Sequence, residues 1–516
     1  MTRQLTLAAL LAQVSMVRRD ALAVVDDRER ITHAALRARI DEAATGLGRL
    51  ALTPGSRYGV QLGNSVTALA VLFAGWAHGA VPVNVNRRYR ATEVADLVDT
   101  HGLRGLITET HRAEEMREVT GPRGLGLAVP GRDAADVLDV LSVPVGAVPV
   151  GSRPDDYLLF TGGTTGRPKA VRWHQHDAFL AAMHPRNRAE FVRTAEELGE
   201  HAAAGGPATL VAAPVDHAFG QWVAVATLLA GGTVVMTDRR PFDPGFVLDL
   251  AHRERCTDLN VAGQAFVTGL VGALESGAVV PAGLERLVTG GAETHDRTKR
   301  ALWQHVPRLQ IIEGIGASET GTLGRTVQTA DASAPLTPRF VPSPGTAVVD
   351  EKLRPVRAGE EGRLARRGWV AMEYLADEAA TRSRFPVVAG ERWAVLDDAA
   401  QLEADGTFVL RGRLDRVINT GGEKVHPGEV EEVLLAYPDV ADAVVLAEPD
   451  ERYGTRVVAL VVLGAASCDT EGLRAWARTR MAGFKVPARI VSVPAVRRLS
   501  SGKLDLPWAW EQLEHG

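Results

Sequence analysis

Between residues 30 and 110 the hydrophobic period of this chain switches repeatedly between helix and strand. That switching restricts the fold more than any other feature. ITHAALRARIDEAATGLGRL spaces its apolar residues as a helix does, and SRYGVQLG reads as a strand. VTALAVLFAGWAHG is again helical, AVPVNV is strand-like, and ATEVADLVDTHG is helical once more. Strands joined through helices run parallel, and a parallel sheet needs cover on both faces.

The pattern returns from 208 to 312. TLVAAPV and TVVMTD are strand-like around the helix WVAVATLLAGG. DPGFVLDLAHRER offers Asp243 as an N-cap with proline at the first helical position. LERLVTGGAET and LQIIEGIGASETG each run a buried strand into a glycine loop. Ligands of open α/β sheets sit beyond the carboxyl ends of strands, where both loops fall. Residues 340–412 change character: GRLARRG, RWAVLDD and TFVLRGR alternate over short lengths and read as a small β subdomain. From 413 to 516, the helices EVEEVLLAY and TEGLRAWARTRMA accompany the strands DAVVLAE and RVVALVVLG. The expected fold class is α/β. Residues 1–412 form a large N-terminal domain of two doubly wound sheets plus the β subdomain, and 413–516 a small α/β C-terminal domain. Residues 186–206 read as a surface insertion or lid.

At 516 residues the chain is too long for one compact domain. A net charge of −5, with arginines interspersed among acids, gives no footprint for nucleic acid. Two cysteines, Cys256 and Cys468, suit a reduced, cytoplasmic setting. The N-terminal MTRQLTLAALLAQV has no convincing cleavage site or strong basic leader and reads as an amphipathic helix. The apolar stretch from Val66 to Val83 is interrupted by His78, two glycines and Pro82, which favours a core helix and strand over a membrane span.

The segment TGGTTGRPKAV, 161–171, lies between the β-type runs YLLF and AVRW and is expected to join two strands. Its glycines and hydroxyls can form an anion nest, with a lysine at the end. It lacks the spacing of a Walker loop and the helix that should follow one. Taken alone, it reads more readily as a plain surface turn.

Four more segments follow in order: GGAET (290–294), GIGASETG (314–321), GRLDRVINTGGEKVHPGEVEE (412–432) and LSSGKLD (499–505). Together the five resemble the core motifs of the adenylate-forming superfamily, which includes acyl-CoA synthetases, nonribosomal peptide adenylation domains and beetle luciferases. The resemblance runs from about residue 30 to 505. It implies an enzyme that joins a carboxylate to the α-phosphate of ATP, releases pyrophosphate and passes the acyl group to a thiol.

The same resemblance assigns residues. Thr161, Gly162, Gly163, Thr164, Thr165 and Gly166 would hold the β- and γ-phosphates. Lys169 is either a further phosphate contact or a solvated lysine. Gly291, Ala292, Glu293 and Gly314 would border the adenine pocket. Ile315 stands where the family usually has an aromatic ring on adenine, a stack worth about 1 kcal/mol. Ser318 matches the hydroxyl near the α-phosphate and Glu319 the Mg2+-associated carboxylate. Asp398 matches the acid on the ribose, with Arg413 beside it and Asp397 as the alternative. Lys503 matches the lysine that reaches the carboxylate and α-phosphate. Asp415 corresponds to a hinge that makes the C-terminal domain mobile. Gly421 and Gly422 would leave room for a pantetheine arm, with Lys424 either near phosphates or a solvated lysine. His217, in APVDHAFGQW, would border the acyl pocket as a gating or positioning group, with a packing role close behind.

The expected cofactors are ATP, Mg2+ and CoA, with a discrete carrier protein as the other possible acceptor. LLFTGGTTGRPKAVRW, AFGQWVAVATLLAGGTVV and INTGGEKVHPGEVEE look most like actinobacterial synthetases for fatty acids and sterol side chains, implying a bulky apolar acid. Two other readings stay open. Ile315 and the extra charge of Asp397 suggest a ligase that mainly performs the thioester half-reaction. A non-catalytic nucleotide or acyl-CoA binder is the second, although retention of Glu319 and Lys503 argues against it.

Overall fold

The computed structural model describes residues 5–131, 137–143, 153–161, 168–185, 191–291, 294–331, 338–413, 418–420, 423–450, 454–464, 470–499 and 504–515. The chain forms two compact units, residues 1–336 with 366–394 and residues 337–365 with 395–516. The division passes within the strands Glu361–Arg367 and Glu391–Leu402.

The first unit contains two large sheets. One has a parallel run in the spatial order Gln310–Ala317, Arg286–Gly290, Asp258–Val261, Ala208–Val211, Thr233–Met236 and Leu22–Val25. The other is ordered Glu373–Tyr374, Lys169–His174, Asp156–Thr161, Val81–Asn84, Arg57–Gln61, Gly105–Thr108, Gly126–Pro130 and Leu138–Ser142. Its strands from Asp156–Thr161 to Gly126–Pro130 are parallel neighbours. The βα alternation of the sequence therefore yields the two parallel, helix-covered sheets expected of it.

Helix starts follow the sequence signals. Ser65 accepts a hydrogen bond from the Ala68 amide and opens Val66–His78. That helix buries Val66, Leu69, Ala70, Phe73 and Trp76 around its whole circumference, then leads into the strand Val81–Asn84. It is a core helix, as expected, and among the described residues no helix is long and apolar enough to cross a membrane. Asp243 caps Pro244–Arg253 through the Phe246 amide. The N-terminal helix Leu7–Val17, capped by Thr6, buries Leu7, Leu10, Leu11 and Val14.

Residues 191–206 correct the lid reading. Thr194 caps a helix, Ala195–Ala202, whose Leu198 and Ala202 join the same buried cluster as Leu7 and Leu10. Glu196 and Glu200 are exposed on the faces turned from that cluster.

One buried ion pair anchors two glycine-containing loops of the first sheet. Lys299, on the helix Asp296–His305, donates to Glu313 in the strand Gln310–Ala317. Both side chains are buried, and the other Glu313 oxygen accepts from the Thr294 amide at 3.1 Å. The pair thus ties the residue after GGAE to the strand that carries GIGASETG.

In the second unit, the strands Val440–Asp450 and Gly454–Leu463 pair antiparallel. Successive side chains of a strand face opposite ways. Val445, Val457, Ala459 and Val461 accordingly pack with Val430 and Leu434 of the helix Pro427–Leu435. Val444, Leu446, Val458 and Leu460 pack with Ala509 and Leu513 of Leu506–His515. Cover on both faces explains why these strands read as unbroken apolar runs.

Two stability predictions follow from these buried groups. Replacing Lys299 by Met strands a buried carboxylate and should cost about 3–5 kcal/mol in denaturant unfolding, most of it restored by adding Glu313→Leu. His33 and His101 are both lowered to about 4, chiefly by burial; the Gly232 backbone opposes this at His33 and Arg18 adds to it, while Arg57 adds at His101. Between about 6.5 and 4 the unfolded chain binds protons that the folded chain refuses. Their contribution is therefore fully present above 6.5 and is lost as pH falls toward 4. Urea midpoints measured across this window should decline, and His33→Gln with His101→Gln should flatten the decline.

Candidate active site

The strands Asp156–Thr161 and Lys169–His174 form an antiparallel hairpin in which Thr161 faces Lys169. The loop does join two strands, as expected. Gly162, Gly163, Thr164, Thr165 and Gly166 lie outside the described residues. Arg172 sets the hairpin in place by donating to the buried Asp156 at 2.9 Å and to Glu373 at 2.7 Å. The second contact reaches Glu373–Tyr374, the next strand of the sheet. Lys169 is held as well: its Nζ lies 3.4 Å from Asp377 Oδ2 and 4.8 Å from the Tyr374 ring centroid.

Ser318 and Glu319 occupy a tight turn whose carbonyls are all claimed. The Ala317 oxygen accepts from the Thr320 amide at 3.1 Å, and the Ser318 oxygen from the indole of Trp173 at 2.8 Å. The Glu319 oxygen accepts from the Ala371 amide at 3.1 Å, and the Thr320 oxygen from Arg366 at 2.9 Å. Arg366 is buried and also bonds the carbonyls of Thr322 and Ala181; burial draws its guanidinium down to about 10, so it stays charged at neutral pH. Gly321 leaves the turn with φ 67°, and a Cβ there would sit 2.8 Å from Ala181. With its backbone so fixed, the turn presents two side chains. Glu319 Oε1 accepts from the Tyr374 hydroxyl at 2.7 Å.

Gly290, the last residue of its strand, is the parallel neighbour of Gly314. Gly291 follows with φ 84°, while Ala292 and Glu293 lie outside the described residues. Ile315 is half-buried at a bulge in the pairing with Gly321–Gln328. The ring of Phe219 approaches Gly290 closely enough that a Cβ there would meet it at 3.3 Å. The segment carrying His217 therefore lies beside the GGAET loop. His217 is half-buried immediately before the helix Ala218–Leu229, and its carbonyl accepts from the Gln221 amide. Buried polar groups hold this segment: Asn64 bonds Val211, Ala213 and Val215, and the Tyr157 hydroxyl links Gln221 with Trp222.

In the second unit, Asp398 and Arg413 are cross-strand partners on Glu391–Leu402 and Phe408–Arg413. Asp397 is paired with Arg363 at 3.0 Å. Adjacent strand residues face opposite sides, so Asp397 and Asp398 project apart and the extra charge is already compensated. Lys424 lies in Glu423–Val425 with its backbone opposite Asn419. Asp415, Gly421, Gly422 and Lys503 lie outside the described residues.

Sequence reasoning missed Tyr374, Trp173, Arg366 and Asp377. None belongs to a glycine motif, and their roles follow from strand pairing and burial. Another donor group, Asp155, Asp156 and His174, lies within 4.8 Å at the far end of the hairpin. There the Arg172 guanidinium already neutralises Asp156.

Comparison with known proteins shows the family. Residues 11–375 match the family of AMP-binding enzymes, and residues 429–503 match the AMP-binding enzyme C-terminal domain. The chain is 36% identical over 466 residues to the medium-chain acyl-CoA ligase Mig of Mycobacterium avium, covering 86% of this chain and 84% of that protein. It is 30% identical over 518 residues to the 3-oxocholest-4-en-26-oate–CoA ligase of Rhodococcus rhodochrous, covering 96% and 93%. The fold is shared with the amide bond synthetase McbA of Marinactinospora thermotolerans, at a TM-score of 0.80 and 23% identity over 98% of this chain and 99% of that one. The first match spans three of the five motifs and the second most of the last; the chain belongs to the AMP-binding enzymes of the adenylate-forming superfamily.

Proposed function

We infer that this protein is an AMP-forming acyl-CoA ligase that activates a bulky apolar carboxylic acid, of the fatty or sterol-side-chain class, and transfers it to CoA. The observation that carries this reading is the likeness, over most of the chain, to acyl-CoA ligases for medium-chain and sterol acids. The clamped Ser318–Glu319 turn supports it, because displacement at phosphorus needs charge neutralisation at fixed positions.

In this reading the loop from Thr161 to Gly166 cradles the outer phosphates, and Ser318 donates to the α-phosphate. Gly291, Ala292, Glu293, Gly314 and Ile315 line the adenine side, while Asp398 accepts from the ribose hydroxyls next to Arg413. Lys503 neutralises charge as the acyl–phosphate bond forms. The functional division falls at 412/413, with 340–412 as a β subdomain and 413–516 turning about Asp415. Gly421 and Gly422 admit the pantetheine arm, Lys424 meets its phosphates, and His217 positions the acyl group. CoA is the favoured acceptor, and the cytoplasm the favoured location.

Glu319 fits a magnesium site. Mg2+ takes oxygen donors and commonly uses one or two carboxylates together with substrate phosphates. Tyr374 occupies one oxygen of Glu319, and a carboxylate has a second to offer. A bound Mg2+ supplies charge neutralisation at the phosphates. The reading of a ligase impaired in adenylation loses one of its two grounds, since Arg363 pairs with Asp397.

The test is a carboxylic-acid panel with ATP, Mg2+ and CoA, followed by mass spectrometry. Medium- and long-chain fatty acids or sterol acids should give both acyl-AMP and acyl-CoA. Turnover of acetate or small amino acids alone would overturn the acid class. Lys503→Ala should lower adenylation at least about 100-fold while sparing transfer from preformed acyl-adenylate.

A further inference from the structure

We propose that Tyr374 is a positioning residue for Glu319: it holds the carboxylate in the orientation that receives the metal–nucleotide complex. This rests on the reading of Glu319 as the metal-associated carboxylate. The geometry is specific. The Tyr374 hydroxyl meets Glu319 Oε1 at 2.7 Å, the length of a hydrogen bond to an ionised acceptor. The ring itself cannot drift. Tyr374 is 5% exposed, pairs with Val171 across the sheet and packs 5.3 Å from the Phe385 ring. Its amide donates to Thr381, and Lys169 Nζ sits over its face while also pairing with Asp377.

A glutamate on a clamped backbone still has three side-chain torsions to order, and a fixed donor on one oxygen removes that freedom before the ligand arrives. The arrangement also joins two motifs. Lys169 closes the glycine hairpin, Glu319 lies in the turn, and the Tyr374 ring stands between them.

Loss of a partner that orients a metal ligand typically costs 10- to 100-fold in metal affinity. The test is Tyr374→Phe, which keeps the ring, its packing and the lysine contact. Mn2+ is titrated against enzyme and ATP without any acid, by electron paramagnetic resonance. Affinity should fall about tenfold or more, and adenylation should need correspondingly more Mg2+. Transfer from preformed acyl-adenylate to CoA should stay within about twofold of the parent, which also verifies the fold; a tenfold loss would cost about 1.4 kcal/mol, whereas this step does not draw on the metal carboxylate. Glu319→Gln is measured in parallel. Unchanged Mn2+ affinity in Tyr374→Phe, with affinity lost in Glu319→Gln, overturns the positioning role alone. Equal loss of both half-reactions in Tyr374→Phe overturns it in favour of a structural role. Parent-like Mn2+ binding by Glu319→Gln overturns the underlying reading of Glu319.

Discussion

The saturation of four consecutive carbonyls in the turn Ala317–Thr320 is the constraint on which the candidate site depends. Their donors come from Thr320, Trp173, Ala371 and Arg366, and so from three separate stretches of chain. Each such bond contributes only about 1 kcal/mol net, but leaving a buried carbonyl unpaired costs about 1–3 kcal/mol. The turn cannot relax along one bond without exposing that penalty. Its backbone is therefore rigid, and Ser318 and Glu319 inherit the direction it gives them.

Elsewhere in the first unit, apolar contact and polar contact divide the labour. Burial of Leu7, Phe73, Trp173 and their neighbours brings helices onto sheets, yet apolar burial is non-directional. Loop ends need directional contacts. Asn64 supplies them beneath the segment containing His217, Arg172 beneath the glycine hairpin, and the Lys299–Glu313 pair beneath GGAET and GIGASETG. Asn64 follows the carboxyl end of Arg57–Gln61, and Thr294, tied to Glu313, follows that of Arg286–Gly290, the side on which ligands of α/β sheets gather.

The helices and strands were legible because their signals are local. Ser65, Thr32 and Asp243 cap the helices they precede, and the apolar periods match the observed elements closely. The helix Ala195–Ala202 buries only Leu198, Gly199 and Ala202, too short an apolar period to set it apart from a surface insertion. The charge of Asp397, an apparent burden on nucleotide binding in the sequence, is answered by Arg363, 34 residues away.

The sequence by itself determined the α/β class, the order of the motifs and the family, because period and spacing are properties of short segments. Only the tertiary structure decided which side chains stand behind the motif residues. Tyr374 lies 55 residues from Glu319, and Trp173 lies 145 residues from Ser318. No local pattern encodes such pairs. They exist because sheet register and close packing bring distant strands within hydrogen-bonding distance, where a buried donor must find an acceptor.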